Sequence, residues 1–232
     1  MSHVVNAICE CPNCKATYEI SICDGINATL SPQLKEKVVT GELFKHTCPE
    51  CKFEFVINHK FLYHDIRNNY MIYLIPNSKN NDEEVSQLSE NLKMMMDPNR
   101  KGNVKKEISS YKFRIVDEFS RLIEKINILD NNINDKVIEL CKMVIMFNYL
   151  KDMTSSNIKK VIFESKDENV NFLISTSDDK TFKASLPSSV YDEILSNLSA
   201  SPLYEEDLAF KSVDLIWAAD AVQNYHVLNQ RH

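Results

Sequence analysis

Cys11-Pro12-Asn13-Cys14 and Cys48-Pro49-Glu50-Cys51, with 33 residues between them, decide the reading of this chain. Each C-x-x-C turn presents two sulfurs on one side, and its proline fixes φ while backbone N–H groups stay free to point at sulfur. Two such turns supply the four ligands of a tetrahedral Zn²⁺. The expectation is one structural zinc per chain, held by Cys11, Cys14, Cys48 and Cys51 in a closed site with no position left for a substrate. A disulfide framework fits less well. The opening residues MSHVVNAICE carry neither a basic start nor a long apolar stretch, which points to a cytoplasmic protein with reduced thiols. The rival reading of these cysteines is a zinc-linked redox switch: Cys9 adds a third thiol to Cys9-x-Cys11-x-x-Cys14, and zinc-bound thiolates are released by oxidation. Cys9 and Cys11 share one face of an expected strand, so Cys9 is placed beside the metal without binding it. Cys23 and Cys141 lie in apolar surroundings and read as small core residues.

Composition narrows the classes. A chain of 232 residues with 44% hydrophobic and 26% charged residues can bury a core and holds one large or two small domains. The most apolar stretch, residues 137–150, is broken by Glu139, Lys142 and Asn148, so no transmembrane span is expected. A net charge of −6 argues against a nonspecific nucleic-acid binder, which needs a concentrated positive field. The only glycines are Gly25, Gly41 and Gly102, which excludes the glycine-rich phosphate loops.

Along the chain, residues 4–9 and 16–23 read as strands on either side of the first cysteine turn. Ser31-Pro32 supplies an N-cap and a first-position proline for a helix carrying Leu34, Val38 and Val39, which Gly41 stops. Residues 43–47 lead into the second turn, and Phe53, Phe55 and Ile57 alternate on the strand that leaves it. Residues 60–63 and 70–75 form a further extended pair closed by Pro76. After it come a polar stretch at 77–84, a short helix at 84–96 and a breaker-rich turn at 97–103. Phe113, Val116, Phe119, Ile123, Ile126 and Leu129 recur at helical spacing, as do Val137, Ile138, Cys141, Ile145 and Tyr149, and Asp130-Asn131-Asn132 joins the two into an expected antiparallel hairpin. Residues 159–164, 170–175 and 181–184 read as a three-stranded meander, followed by a helix opening at Pro187, a strand over 207–213 and a last helix capped by Asp214 with Trp217 as a core anchor. The expected fold class is α+β. A zinc-ribbon-like β-hairpin module with an inserted helix occupies 1–76, a linker and helical hairpin 77–152, and a small C-terminal antiparallel sheet with helices 153–232.

The two C-P-x-C turns, Ser31-Pro32-Gln33-Leu34-Lys35-Glu36-Lys37, Gly41-Glu42-Leu43, Tyr63-His64-Asp65 and Met71-Ile72-Tyr73 ending at Pro76 together resemble a CpXC domain, a family of mostly bacterial proteins. The resemblance is firm to about residue 76. It extends more loosely from Arg114 to Lys142, on Arg114-Ile115-Val116, Glu124-Lys125-Ile126, Asn134-Asp135 and Ile138-Glu139. It implies a zinc-binding module without an established activity. One departure concerns the residue after each turn. Many zinc turns place glycine there to reach φ > 0, whereas this chain has Lys15 and Lys52. Either those turns take another conformation or they carry a strain of about 1 kcal/mol each.

Tyr63-His64-Asp65, near His46 and His59 in sequence, is the sharpest candidate outside the cysteines, since a histidine oriented by a carboxylate acts as acid, base or metal ligand. Alternation along a strand puts His64 and Asp65 on opposite faces, which favours a structural role. Glu124 and Glu139 lack a Glu-x-x-His partner and read as helix-face carboxylates. Arg100, Lys101, Lys105, Lys106, Lys112 and Arg114 form a basic run that reads as solvated surface. The leading expectation is a zinc-stabilised, non-catalytic interaction module with a protein partner and no membrane. Its alternatives are an enzyme with a cleft near His64, a thiol redox switch and a nucleic-acid binder.

Overall fold

The computed structural model describes residues 2–76, 82–95, 110–150 and 158–229. Most of the expected polar stretch, the turn at 97–103 and the basic residues Arg100, Lys101, Lys105 and Lys106 lie outside the described residues. The architecture is α+β, and the chain divides into two compact units: Met1–Ile126 with Leu208–Lys211, and Asn127–Asp207 with Ser212–His232.

In the first unit, β1 (His3–Glu10) and β2 (Thr17–Asn27) form an antiparallel hairpin whose tip is the first cysteine turn. Helix α1 (Pro32–Val39) follows, with proline in its first turn and Gly41 just beyond its end at φ 78°. A Cβ at Gly41 would stand 3.2 Å from the Phe119 ring, so glycine is required there for room as well as for φ. Ser31 makes no side-chain cap; instead Asn27 Oδ1 accepts the Leu30 N–H at 3.1 Å. The short strands β3 (Lys45–Thr47) and β4 (Glu54–Val56) form a second hairpin around the second cysteine turn.

Strands β5 (Phe61–Asp65), β6 (Tyr70–Leu74) and β7 (Lys112–Val116) complete a five-stranded sheet of order β1-β2-β5-β6-β7. The β2/β5 and β6/β7 pairs are parallel, and helix α2 (Asp82–Met95) lies in the connection that a parallel pair requires. Strand β7 corrects the sequence reading. Phe113 and Val116 fit a helical spacing, but they belong to a strand paired with β6, and helix α3 (Phe119–Asp130) begins only at Phe119. The run Phe113-Arg114-Ile115-Val116 is buried at every position, so the alternation that marks a half-exposed strand is missing. Arg114 is fully buried and so is no part of a solvated basic face.

Register assigns the sheet's faces. Phe61, Tyr63 and Asp65 stand opposite Leu74, Ile72 and Tyr70 on one face, all buried. Complete burial of Phe61 contributes about 2 kcal/mol, and its ring meets Phe44, which in turn meets Phe119. The other face carries Met71 and Phe113, packed with Leu92, Tyr111, Leu208 and Phe210. The segment expected as a strand over 207–213 contributes an isolated parallel bridge, Arg114 with Lys211, in which the Ile115 N–H donates to the Lys211 carbonyl at 3.0 Å.

In the second unit, β8 (Ile158–Lys166), β9 (Asn169–Thr176) and β10 (Thr181–Pro187) form the expected antiparallel meander. Helices α4 (Asp135–Leu150), α5 (Ser188–Ser199) and α6 (Leu215–Asn229) accompany it. Val161, Phe163, Val170, Phe172 and Ile174 share one core with Val137, Ile138, Cys141 and Ile145. Asp214 caps α6, accepting from the Ile216 and Trp217 N–H groups at 3.0 and 3.1 Å. Trp217 is only half-buried, and Ala218 fills the core position expected of it. Lys136, fully buried on α4, donates to the carbonyls of Leu203, Tyr204 and Glu205 at 2.9, 3.1 and 2.8 Å.

Candidate metal centre

Each cysteine turn closes in the same way. The Lys15 N–H donates to the Cys11 carbonyl and the Lys52 N–H to the Cys48 carbonyl, both at 3.0 Å, while the Cys11 and Cys48 N–H groups bond Ala16 and Phe53 at 2.9 Å. The lysines have φ of 62° and 61°, so of the two alternatives for these positions the left-handed conformation is the one adopted. Two matching knuckles, raised on the β1–β2 and β3–β4 hairpins, bring Cys11, Cys14, Cys48 and Cys51 together with all four sulfurs within 4.8 Å of one another.

The geometry suits a tetrahedral ion. With Zn–S bonds of about 2.3 Å, tetrahedral sulfurs stand about 3.8 Å apart; Cys11 Sγ to Cys51 Sγ and Cys14 Sγ to Cys48 Sγ each measure 3.7 Å. None of the seven cysteines is in a disulfide. Two further side chains address the sulfurs. Asn13 Nδ2 donates to Cys51 Sγ at 3.5 Å, and this amide, with the Phe53 N–H, pulls the Cys51 thiol down to about 6. The Tyr18 hydroxyl is buried with no hydrogen-bond partner among the described residues; burial, then the neighbouring Cys48 sulfur, holds its proton in place. A buried, unpartnered hydroxyl close to Cys48 fits a site whose sulfurs are thiolates. Neither residue was singled out from the sequence. The available signal was an amide side chain inside one turn; Tyr18 is brought to Cys48 only by the pairing of the hairpins.

Cys9 stands beside the set without joining it. Its thiol points to the Glu10 carbonyl at 3.7 Å, and burial, then the charges of Cys11 and Cys48, raise its pKa. Cys141 is fully buried, which pushes its thiol up to about 12. Cys23 is half-buried and its Sγ donates to the Gly25 carbonyl at 3.4 Å.

The Tyr63-His64-Asp65 triplet is divided between the faces of β5. Tyr63 is fully buried and stacked on Tyr70, with ring centres 5.8 Å apart. Asp65, 3% exposed, accepts from Thr29 Oγ1 at 3.0 Å, Lys35 Nζ at 3.2 Å, the Asn68 N–H at 3.1 Å and Asn68 Nδ2 at 3.2 Å. It fastens the β5–β6 turn to α1. Burial opposes its charge, yet the Asn68 N–H, Lys35 and Thr29 together hold its carboxyl below the ordinary value. His64 lies on the other face with Nε2 3.2 Å from the Tyr111 hydroxyl, and burial lowers its pKa. His46 and His59 have separate neighbours: His46 stacks on Tyr18, and both ring nitrogens of His59 lie against the Cys23 and Ile57 carbonyls at 2.8 and 3.1 Å. No His–carboxylate couple forms from the triplet.

Fold and site thus define a paired-knuckle, four-cysteine module able to hold a metal ion, built into a mixed sheet and followed by an α/β unit. The profile of the CpXC protein family matches residues 9–142, more than half of the chain, and the chain belongs to that family. No curated protein and no solved structure matches it. Among the described residues, no helix is long and apolar enough to cross a membrane.

Proposed function

We propose that this chain is a zinc-stabilised, non-catalytic interaction module of a bacterial cytoplasmic protein, holding one Zn²⁺ per chain through Cys11, Cys14, Cys48 and Cys51. The observation that carries this reading is the convergence of two matching knuckles with sulfur pairs 3.7 Å apart. Four thiolates saturate the ion, so its contribution is to tie the two hairpins together, and no coordination position is left for chemistry. The separation of His64 from Asp65 across β5 supports the non-catalytic reading over a cleft enzyme. Residues 1–76 would form the metal module and 153–232 a small C-terminal α/β section, with the linker and helical hairpin at 77–152 between them.

Metal content of the purified chain by mass spectrometry, beside Cys48→Ser and a mild peroxide treatment, tests it. The expected result is one zinc per chain, lost in the variant and retained in peroxide. Zinc released by peroxide with disulfide formation would replace this reading with a redox switch, and absence of bound metal would overturn it.

A further inference from the structure

Strand β1 lies at the edge of its sheet, with β2 on one side and no other strand against it among the described residues. The hairpin's hydrogen bonding says which of its groups face outward. The Cys11 N–H bonds the Ala16 carbonyl, and the same register continues up the ladder, with Cys9 opposite Tyr18, Ala7 opposite Ile20 and Val5 opposite Ile22. Residues of odd number therefore exchange their bonds with β2, and the N–H and C=O groups of Val4, Asn6 and Ile8 point to the open edge. Soluble proteins blunt such edges with charge, proline or a bulge. Residues 4–9, Val-Val-Asn-Ala-Ile-Cys, carry neither charge nor proline, and the hairpin's register irregularity falls before them, between His3 and Val4. Val4 and Ile8 are 59% and 81% exposed on one face of this strand, with Asn6 between them.

We propose that β1 pairs antiparallel with β1 of a second copy of this chain, about a two-fold axis at Asn6, joining the two sheets edge to edge. The register follows from the backbone. Outward groups must meet outward groups, and Asn6 opposite the second copy's Asn6 satisfies this while setting Val4 against Ile8 twice on the same face. Such aliphatic cross-strand pairs stabilise a sheet, and no like charges are opposed, since Glu10 falls opposite Ser2. Sliding by two residues in one direction sets Val4 against Glu10, and in the other sets Ile8 against Ser2; both lose the aliphatic pairs. A strand that is self-complementary in one register and undefended against pairing fits a copy of itself better than an unrelated peptide. The inference uses the outward backbone and the exposed side chains of Val4, Asn6 and Ile8, none of which belongs to the four-cysteine set, and does not depend on which metal that set holds.

Sedimentation equilibrium of the full chain, with its metal content verified, tests this at concentrations up to about 0.1 mM. The expected result is a reversible dimer of twice the 26.8 kDa chain mass. Val4→Lys and Ile8→Glu, each at an exposed position, are expected to raise the dissociation constant about tenfold or more by setting a charge against an aliphatic side chain. Val4→Lys/Ile8→Glu together restore association, because this register alone sets the two introduced charges against each other, twice across the two-fold axis. Val56→Lys, at a position 52% exposed on β4, leaves the dimer unchanged. Circular dichroism and metal content verify that each variant is folded. A monomer throughout the concentration range, a dimer indifferent to both single substitutions, or two weakened singles with no recovery in the double variant would each overturn the proposal.

Discussion

The β3–β4 hairpin of the first unit and the β8–β10 meander of the second are both made of antiparallel strands, yet they bury very different amounts of side chain. The meander places Val161, Phe163, Val170, Phe172, Ile174, Ala184 and Leu186 in one core with α4 and α5. Strands β3 and β4 have three residues each and no fully buried side chain, while Phe53 and Val56 beside the second knuckle are 44% and 52% exposed. A hairpin that short does not hold itself in water. What the meander obtains from apolar burial, the knuckle hairpins must obtain from something else, and four converging sulfurs supply the means.

The strongest way to break this comparison is to remove the metal. By analogy with zinc-finger peptides, an ion bound by the four sulfurs would contribute on the order of 10 kcal/mol. A chelator or Cys48→Ser is therefore expected to abolish hydrogen-exchange protection over β1 to β4 while β8 to β10 keep theirs; equal loss in both regions would refute the division. Next in size is Phe172→Ala in the meander. It removes a fully buried ring at a cost of about 3–5 kcal/mol, read as a fall in the denaturant midpoint of the second unit that a chelator leaves unchanged.

Asp65→Ala comes third. It strips four donors of their acceptor, with an expected loss of about 2–4 kcal/mol in the first unit. Because its folded carboxyl lies below the ordinary 3.8, Asp65's contribution is fully present above that value and is lost as pH falls through the lower folded one. The penalty of the variant should accordingly shrink in acid below pH 3.8, and a constant penalty across that window would count against the assignment. The smallest effect is expected of Lys15→Gly. Relief of the left-handed backbone at φ 62° is worth about 1 kcal/mol, partly offset by the greater freedom of an unfolded glycine, so thermal stability should rise slightly or hold and not fall.

Much of this was legible in the residues. The paired C-P-x-C turns announced four converging sulfurs, Pro32 and Gly41 bounded α1, Asp214 marked the start of α6, and the polar turns between apolar runs outlined the meander. Period-2 alternation placed His64 and Asp65 on opposite faces before any coordinate did. Strand β7 was hidden because a segment buried at every position loses the alternation that reveals a strand, and Phe113 with Val116 then mimicked a helix. Trp217 was misplaced because residue size does not say how deeply a helix face is sunk.

The sequence by itself determined the knuckles, because metal-ligand spacing is a local property carried by four residues within two short turns. Only the tertiary structure decided that Asn13 and Tyr18 attend the sulfurs, that Asp65 ties the β5–β6 turn to α1, and that the division between units falls within α3. Those outcomes depend on which strands pair and in what register, and such long-range choices leave no periodic mark on the chain.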